Sequence, residues 1–228
     1  MMQPPESLTV INEVRDLGVF VVYDIIVGAS NTSYPEGLER EVESAVGEAR
    51  RALSLAALKD NPVIRAYRDF YWRVLKIDPT KQRPAQEALL RRILRGEPLP
   101  RISPAVDAGN AASIKYLVPI GLYDIGKISG RTLYLRRARR GEVFRPVGGR
   151  PFELADNQIV LASGGQILHV YPYRDSIDTV VDERTRDFLV VIAGAPGVER
   201  ERLVGAALYL RKLFSLLGGI AVGEIRTA

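Results

Sequence analysis

Residues 103–138 read SPAVDAGNAASIKYLVPIGLYDIGKISGRTLYLRRA, and the pattern of the chain changes inside them. Ser103-Pro104 reads as an N-cap followed by the first helical position. The serine hydroxyl can accept from an orphan N–H, and proline has no N–H to leave unsatisfied there. The pair opens a helix running to about Leu117. Beyond it, apolar residues fall in short runs separated by Gly-rich or polar turns. Residues 132–138 (TLYLRRA), 158–162 (QIVLA), 166–171 (QILHVY) and 188–193 (FLVVIA) each read as a strand. Ser163-Gly164-Gly165 reads as a hairpin turn between two of them.

Upstream the pattern is helical, after one early strand. Residues 18–28 (GVFVVYDIIVG) are apolar without alternation, interrupted by Asp24, which predicts a strand buried on both faces and closed by Gly28. A turn-rich loop (29–37) leads to a helix whose stripe is Leu38, Val42, Ala45, Ala49, Leu53 and Ala56. Asn61-Pro62 opens a second helix with Val63, Tyr67, Phe70 and Val74 inward. Residues 77–80 turn, and Pro84 begins a third helix, with Leu89, Leu90, Ile93 and Leu94 inward, Arg91, Arg92 and Arg95 outward, and Gly96 at its end. The chain closes with a helix over 199–217 (Leu203, Ala206, Leu210, Phe214, Leu217), then Gly218-Gly219 and a strand-like IAVGEI. Helices early and strands late predict an α+β fold, a mixed or antiparallel sheet packed with helices, over a doubly wound one.

Composition bounds the chemistry. The 228 residues contain no cysteine, which excludes disulfides, thiolate nucleophiles and cysteine-held zinc. His169 is the single histidine, so a histidine-rich metal site is poorly supported, and no spaced carboxylate cluster suggests magnesium. Neither a metal nor a cofactor is expected. No apolar run is long enough for a bilayer, and the start lacks a basic-then-apolar signal, so a cytoplasmic, membrane-free protein is the expectation. The net charge of +5 permits a polyanionic partner without demanding one. The basic residues are nearly all arginine, which suits phosphate forks but equally reflects a GC-rich or heat-adapted genome.

Individual motifs stay open at this level. The glycine pairs at 148–149, 164–165 and 218–219 lack phosphate-loop spacing and read as turns. Residues 131–145 carry six arginines; Arg136, Arg137 and Arg139 are candidates for phosphate contact, or simply a solvated strand end. His169 follows Ile167 and Leu168 in a strand and, alone, reads as a packed or edge residue more readily than as a catalyst. The stretch 173–178 (YRDSID) puts Arg174, Asp175 and Ser176 at the exit of an apolar strand, where rigid scaffolds present binding groups, though turn chemistry selects the same residues.

One resemblance covers more than half the chain. Its elements are Pro84 with the following LLRR; Val106-Asp107 followed by Asn110; Pro119 and Asp124; Gly130, Arg136, Ala138 and Gly141-Glu142; Gly148-Gly149; and Thr185. Together they resemble the editing domain of the phenylalanyl-tRNA synthetase beta chain, the B-three/B-four domain, and most of all its stand-alone members. The resemblance implies a pocket between sheet and helices that admits the adenosine end of a mischarged tRNA. There a positioned water attacks the ester, without a covalent nucleophile. It places an editing-domain-like core at 61–193; with the N-terminal strand and helix read in 1–60 and the C-terminal helix and strand read in 194–228, which lie outside the match, a single domain over 1–228 is expected. Asp107, Asp124 and Thr185 also fit residues that cap or cross-link turns.

Departures from the pattern shape the functional expectation. Gly109 stands where the synthetase has threonine, Gly121 where it has histidine, and Val191 near its glutamate; Tyr171–Ser176 replace a Gly-rich loop. Groups that recognise tyrosine and its amino group are thus missing, and the bare positions 109 and 121 enlarge or reshape the pocket. The leading expectation is an aminoacyl-tRNA deacylase acting in trans, with tRNA as partner, amino acid unspecified and oligomeric state open. Asn110 and Asp175 are its catalytic candidates, with Arg174, Ser176, Gly109, Gly121 and Asp107 about the substrate. Two alternatives are a non-catalytic RNA-binding module and a binder or hydrolase of a small amino-acid derivative; fold alone does not separate the three.

Overall fold

The architecture is that of a computed structural model, which describes residues 8–228. Thr9–Asn12 (β1) and Phe20–Val27 (β2) begin two different sheets. β2 is buried along its middle six residues, and its one charge, Asp24, is met there by a two-pronged Arg211 at 2.6 and 2.8 Å. A buried carboxylate requires such a partner.

The helical stretch follows. It holds α1 (Glu36–Ala52), α2 (Pro62–Arg73), α3 (Ala85–Leu94) and α4 (Pro104–Tyr116). Ser103 caps α4 through Val106 N–H, with Pro104 in its first turn. Three details differ from the periodicity. α1 ends at Ala52, short of Ala56, because Ser54 accepts from Ala57 N–H and draws the backbone out of the helix. α2 buries Ile64 and Tyr71 beside the expected Tyr67 and Phe70, while Val63 and Val74 are partly buried against the same core; Asn61 caps both Val63 and Ile64 N–H. In α3, Gln86 and Glu87 go inward with Leu90 and Ile93. Arg91 folds back onto Glu87 at 2.8 Å, and Arg68 meets the same carboxylate at 3.0 Å, so the arginine is recruited by a buried charge.

The strand region comprises β3 (Ile120–Asp124), β4 (Thr132–Arg137), β5 (Val143–Phe144), β6 (Phe152–Glu153), β7 (Ile159–Ser163), β8 (Gln166–Val170), β9 (Arg174–Asp175) and β10 (Phe188–Gly194). Then come α5 (Arg200–Leu216), β11 (Ile220–Ala221) and β12 (Arg226–Thr227). β7 and β8 are joined by Gly164-Gly165, with Gly164 at φ +57, a conformation that glycine adopts without steric cost. One sheet runs β1-β4-β7-β8-β9, with β1 parallel to β4 and the other pairs antiparallel. The second, antiparallel, runs β11-β2-β10-β3, with β12 also on β2.

α4 and α5 pack on the second sheet and α1 on α4, so the fold is α+β with mixed sheets. Its main core draws from every helix; a satellite core of Ala138, Phe144, Leu154, Val160, Ala162, Ile167 and Val170 sits under the β5–β6 hairpin. No helix among the described residues is long and apolar enough to cross a membrane.

Candidate functional site

A cleft of about 460 Å³ opens where α4, β3 and β9 converge. α4 supplies Val106, Gly109 and Asn110, β3 supplies Ile120 and Leu122, and β9 supplies Arg174 and Asp175. Ile102, Val147, Tyr173, Val180 and Val181 complete an otherwise apolar wall. Gly109-Asn110 and Arg174-Asp175, distant in sequence, therefore line one cleft, while Asp107 and Ser176 do not. β9 is short, but it is held on both sides: His169 of β8 is the register partner of Asp175, and Val147 N–H donates to the Asp175 carbonyl at 2.9 Å.

Asp175 is the polar centre of the cleft. Tyr123, fully buried, donates its hydroxyl to Asp175 Oδ1 at 2.7 Å and also contacts Nδ1 of His169. The Asp175 side chain lines the cleft and keeps 49% of its surface open. Loss of bulk solvation pushes its carboxyl up to about 6, while the Tyr123 hydrogen bond pulls the other way. Burial holds His169 neutral, its pKa lowered to about 3, so its approach to Asp175 (Nδ1 to Oδ1, 4.0 Å) is not an ion pair. Among the described residues, neither the Asn110 amide nor the Arg174 guanidinium is hydrogen-bonded to protein. Both face the cleft with their polar groups uncommitted.

The other sequence candidates lie elsewhere or do other work. Asp107 is fully buried and outside the cleft lining. It accepts from Tyr34 Oη and Ile102 N–H, each at 2.9 Å, and so fixes the Ile102 rim instead of meeting a ligand. Ser176 is buried, and its hydroxyl accepts from Asp178 N–H at 3.1 Å, capping the short turn Ile177–Thr179. Gly109 is packed by Leu122, whose Cδ1 would lie 3.3 Å from a Cβ there. Gly121 lies opposite Val191 in the sheet and lines a smaller adjacent hollow of about 50 Å³ shared with Tyr123, His169, Arg174 and Asp175. The room left by its missing side chain is filled by the Tyr123 phenol, so the cleft is reshaped there and not enlarged. Asp124 and Thr185 cross-link turns: Thr185 Oγ1 donates to Asp124 Oδ2 at 2.7 Å.

Arg136, a candidate for phosphate contact, is buried. It forks onto Glu142 at 2.6 and 2.9 Å and also donates to the Arg137 carbonyl. A guanidinium buried and paired in this way is not presented to a phosphate in solvent. Arg137 and Arg139 are exposed. Tyr123 and the partnership of His169 were not foreseen from the sequence. The available signal was the spacing: Gly121 and Tyr123 are two apart, hence on one face if 120–124 is a strand.

The arrangement suits ester hydrolysis by activated water. A carboxylate titrating near 6 is a competent general base at neutral pH. Asn110 and Arg174 offer donors to a developing oxyanion. Among the described residues, no serine, threonine, cysteine or lysine lines the cleft to act as a covalent nucleophile.

Comparisons with known proteins agree with this architecture. The family model described as the B3/4 domain matches residues 66–205. The phenylalanine–tRNA ligase beta subunit of Neisseria meningitidis serogroup B is 26% identical over 167 residues, 69% of this chain and 21% of that protein. The corresponding subunit of Rhodospirillum rubrum is 29% identical over 144 residues, 53% of this chain and 18% of that protein. The chain thus spans about a fifth of the length of these relatives. Among solved structures, an N-terminal fragment of the phenylalanyl-tRNA synthetase beta subunit from Pyrococcus horikoshii superposes over 94% of this chain and 50% of its own. The TM-score is 0.50 and the identity 14%, a likeness of fold.

Proposed function

The chain belongs to the B3/4 domain family, and from that premise we propose that it is an aminoacyl-tRNA deacylase acting in trans on an apolar aminoacyl group. The observation that carries this reading is the pairing of Asp175 and Asn110 across one cleft, a raised carboxyl opposite an uncommitted amide. Asp175 takes a proton from water. The resulting hydroxide adds to the ester carbonyl, and Asn110 and Arg174 stabilise the oxyanion. The ester C–O bond then breaks, and the proton held by Asp175 passes to the departing ribose oxygen. The aliphatic walls from Val106, Ile120, Leu122, Val180 and Val181 favour an apolar side chain on the substrate. They carry no polar group that would choose tyrosine.

The test is a panel of mischarged tRNAs, with loss of the ester followed over time. At least one tRNA with an apolar amino acid should be cleared well above the buffer rate; none cleared would end the enzyme reading. The exposed Arg137 and Arg139 favour a second reading, an RNA-binding module without chemistry. Retention of tRNA in gel shifts without clearance of any ester would select it.

A further inference from the structure

Tyr123 and His169 have no role in the chemistry above, yet their geometry is constrained. The Tyr123 oxygen has two close polar neighbours, Asp175 Oδ1 at 2.7 Å and His169 Nδ1. A phenol has one proton. The ionised carboxylate only accepts, so that proton belongs on the Asp175 side. The phenol oxygen must then receive a hydrogen bond from His169, and a neutral imidazole has one N–H to give. That N–H is on Nδ1, which leaves Nε2 bare. A second observation agrees: Nε2 is buried and has no hydrogen-bond partner among the described residues. A proton placed on Nε2 would strand a donor and set two lone pairs against each other along the chain.

We propose that Tyr123 and His169 are positioning residues for Asp175, joined in a one-way chain from His169 Nδ1–H through Tyr123 O–H to Asp175 Oδ1. The chain holds one carboxylate oxygen still. Oδ2, which no described residue hydrogen-bonds, is left for water in the cleft. β8 and β9 place His169 and Asp175 opposite each other, and Tyr123 reaches them from the other sheet, so the chain also ties the two sheets together at the site. The effect of the chain on rate rests on Asp175 being the base; the chain itself does not.

His169 is the only histidine, so the imidazole nitrogen signals of 15N-labelled protein belong to it alone. The expected spectrum at pH 7 is a neutral ring with Nδ1 protonated. Tyr123→Phe removes the acceptor and should move the ring toward the Nε2–H form. Asp175→Leu, a second variant should the first fail to fold, turns the Tyr123 proton toward Nδ1 and should do the same. A wild-type ring that is charged or Nε2-protonated at pH 7 overturns the chain, as does an unchanged spectrum in whichever of these variants folds. If an ester is cleared, Tyr123→Phe should lower kcat roughly ten- to a hundredfold with KM little changed. Its acid limb should move to higher pH, because the lost hydrogen bond had been lowering the Asp175 pKa. An unshifted limb overturns the positioning role. If no tRNA is cleared, the deacylase reading fails alone, and the spectra still decide the chain.

Discussion

A methyl group on Gly121 would lie 2.1 Å from the hydroxyl oxygen of Tyr123 and 2.7 Å from its Cζ. The two residues share one face of β3, and the phenol lies back over the glycine to reach Asp175. Residue 121 is thus bare because its neighbour on that face occupies the space. Gly121→Ala should push the Tyr123 ring off Asp175 and His169. Overpacking of this kind costs about 1–3 kcal/mol, or roughly 2–12 °C of melting temperature in a chain this long. Differential scanning fluorimetry, read beside the His169 nitrogen spectrum, checks it. A Gly121→Ala protein with wild-type melting and an unchanged imidazole would contradict the packing described.

The sequence offers Asn110 as a catalytic candidate and Ser176 as a substrate contact, and their environments now separate them. Asn110→Ala removes an amide that bonds to no described residue, so stability should stay within about 0.5 kcal/mol of wild type. Any deacylation should fall by about two orders of magnitude, the usual cost of losing one oxyanion donor. Ser176→Ala should do the opposite: a loss of about 1 kcal/mol with the cap, and an almost unchanged rate. Paired thermal melts and single-turnover rates on the two variants decide whether these roles are assigned correctly.

The Asp175 carboxyl, raised to about 6, makes a pH prediction of definite sign. Its folded pKa exceeds the unfolded value near 4, so the folded state holds the proton more tightly. The stability it contributes is complete below pH 4 and is lost as pH rises through 6. Asp175→Asn should therefore stabilise the protein at pH 7.5. Discounted for a half-open side chain, the gain is on the order of 1 kcal/mol, about 2–4 °C, and it should shrink to nothing near pH 4. His169 runs the other way: its lowered pKa costs stability as pH falls from 6.5, and it does so equally in both proteins. If Asp175 is the base proposed for deacylation, the rate should climb with pH through about 6 and level off, and Asp175→Asn should abolish it. A substitution that destabilises at pH 7.5 would remove the case for a desolvated base.

The fold was legible where the residues repeat and illegible where a buried charge or a short strand broke the repeat. The cap of α4 at Ser103-Pro104 and the apolar runs of β2, broken only by Asp24, and β10 follow from local chemistry. β3 was missed because Gly121 sits within five residues that show no alternation. The inward turn of Arg91 was missed because its cause, Glu87, is a charge that periodicity assigns to the surface. At the site, Asn110 was reachable through the resemblance, and Asp175 through its place at the exit of an apolar strand. Tyr123 was not, since the pattern concerned residue 121, and only packing shows which neighbour takes its place. His169 looked partnerless because its partner belongs to a different sheet, and sequence distance carries no information about that.

The three arginines proposed to meet phosphate separate into two kinds, and substitution should distinguish them. Arg136 is buried in a fork with Glu142. Arg136→Ala leaves a largely buried carboxylate without its partner, which costs about 3–5 kcal/mol in a fully buried pair and somewhat less here because Glu142 keeps some solvent. The expected result is a lower melting temperature at every salt concentration, and tRNA affinity that weakens only as the protein unfolds. Arg137 and Arg139 are exposed, so replacing both with alanine should leave the melt within about 1 °C of wild type. If they touch phosphate, the slope of log affinity against log salt should flatten by about 1.4 to 1.8, near 0.7 to 0.9 for each phosphate no longer neutralised. An unchanged slope in a stable double variant would move the nucleic-acid surface away from β4. A stable Arg136→Ala protein would show that its ion pair does not hold the strand end in place.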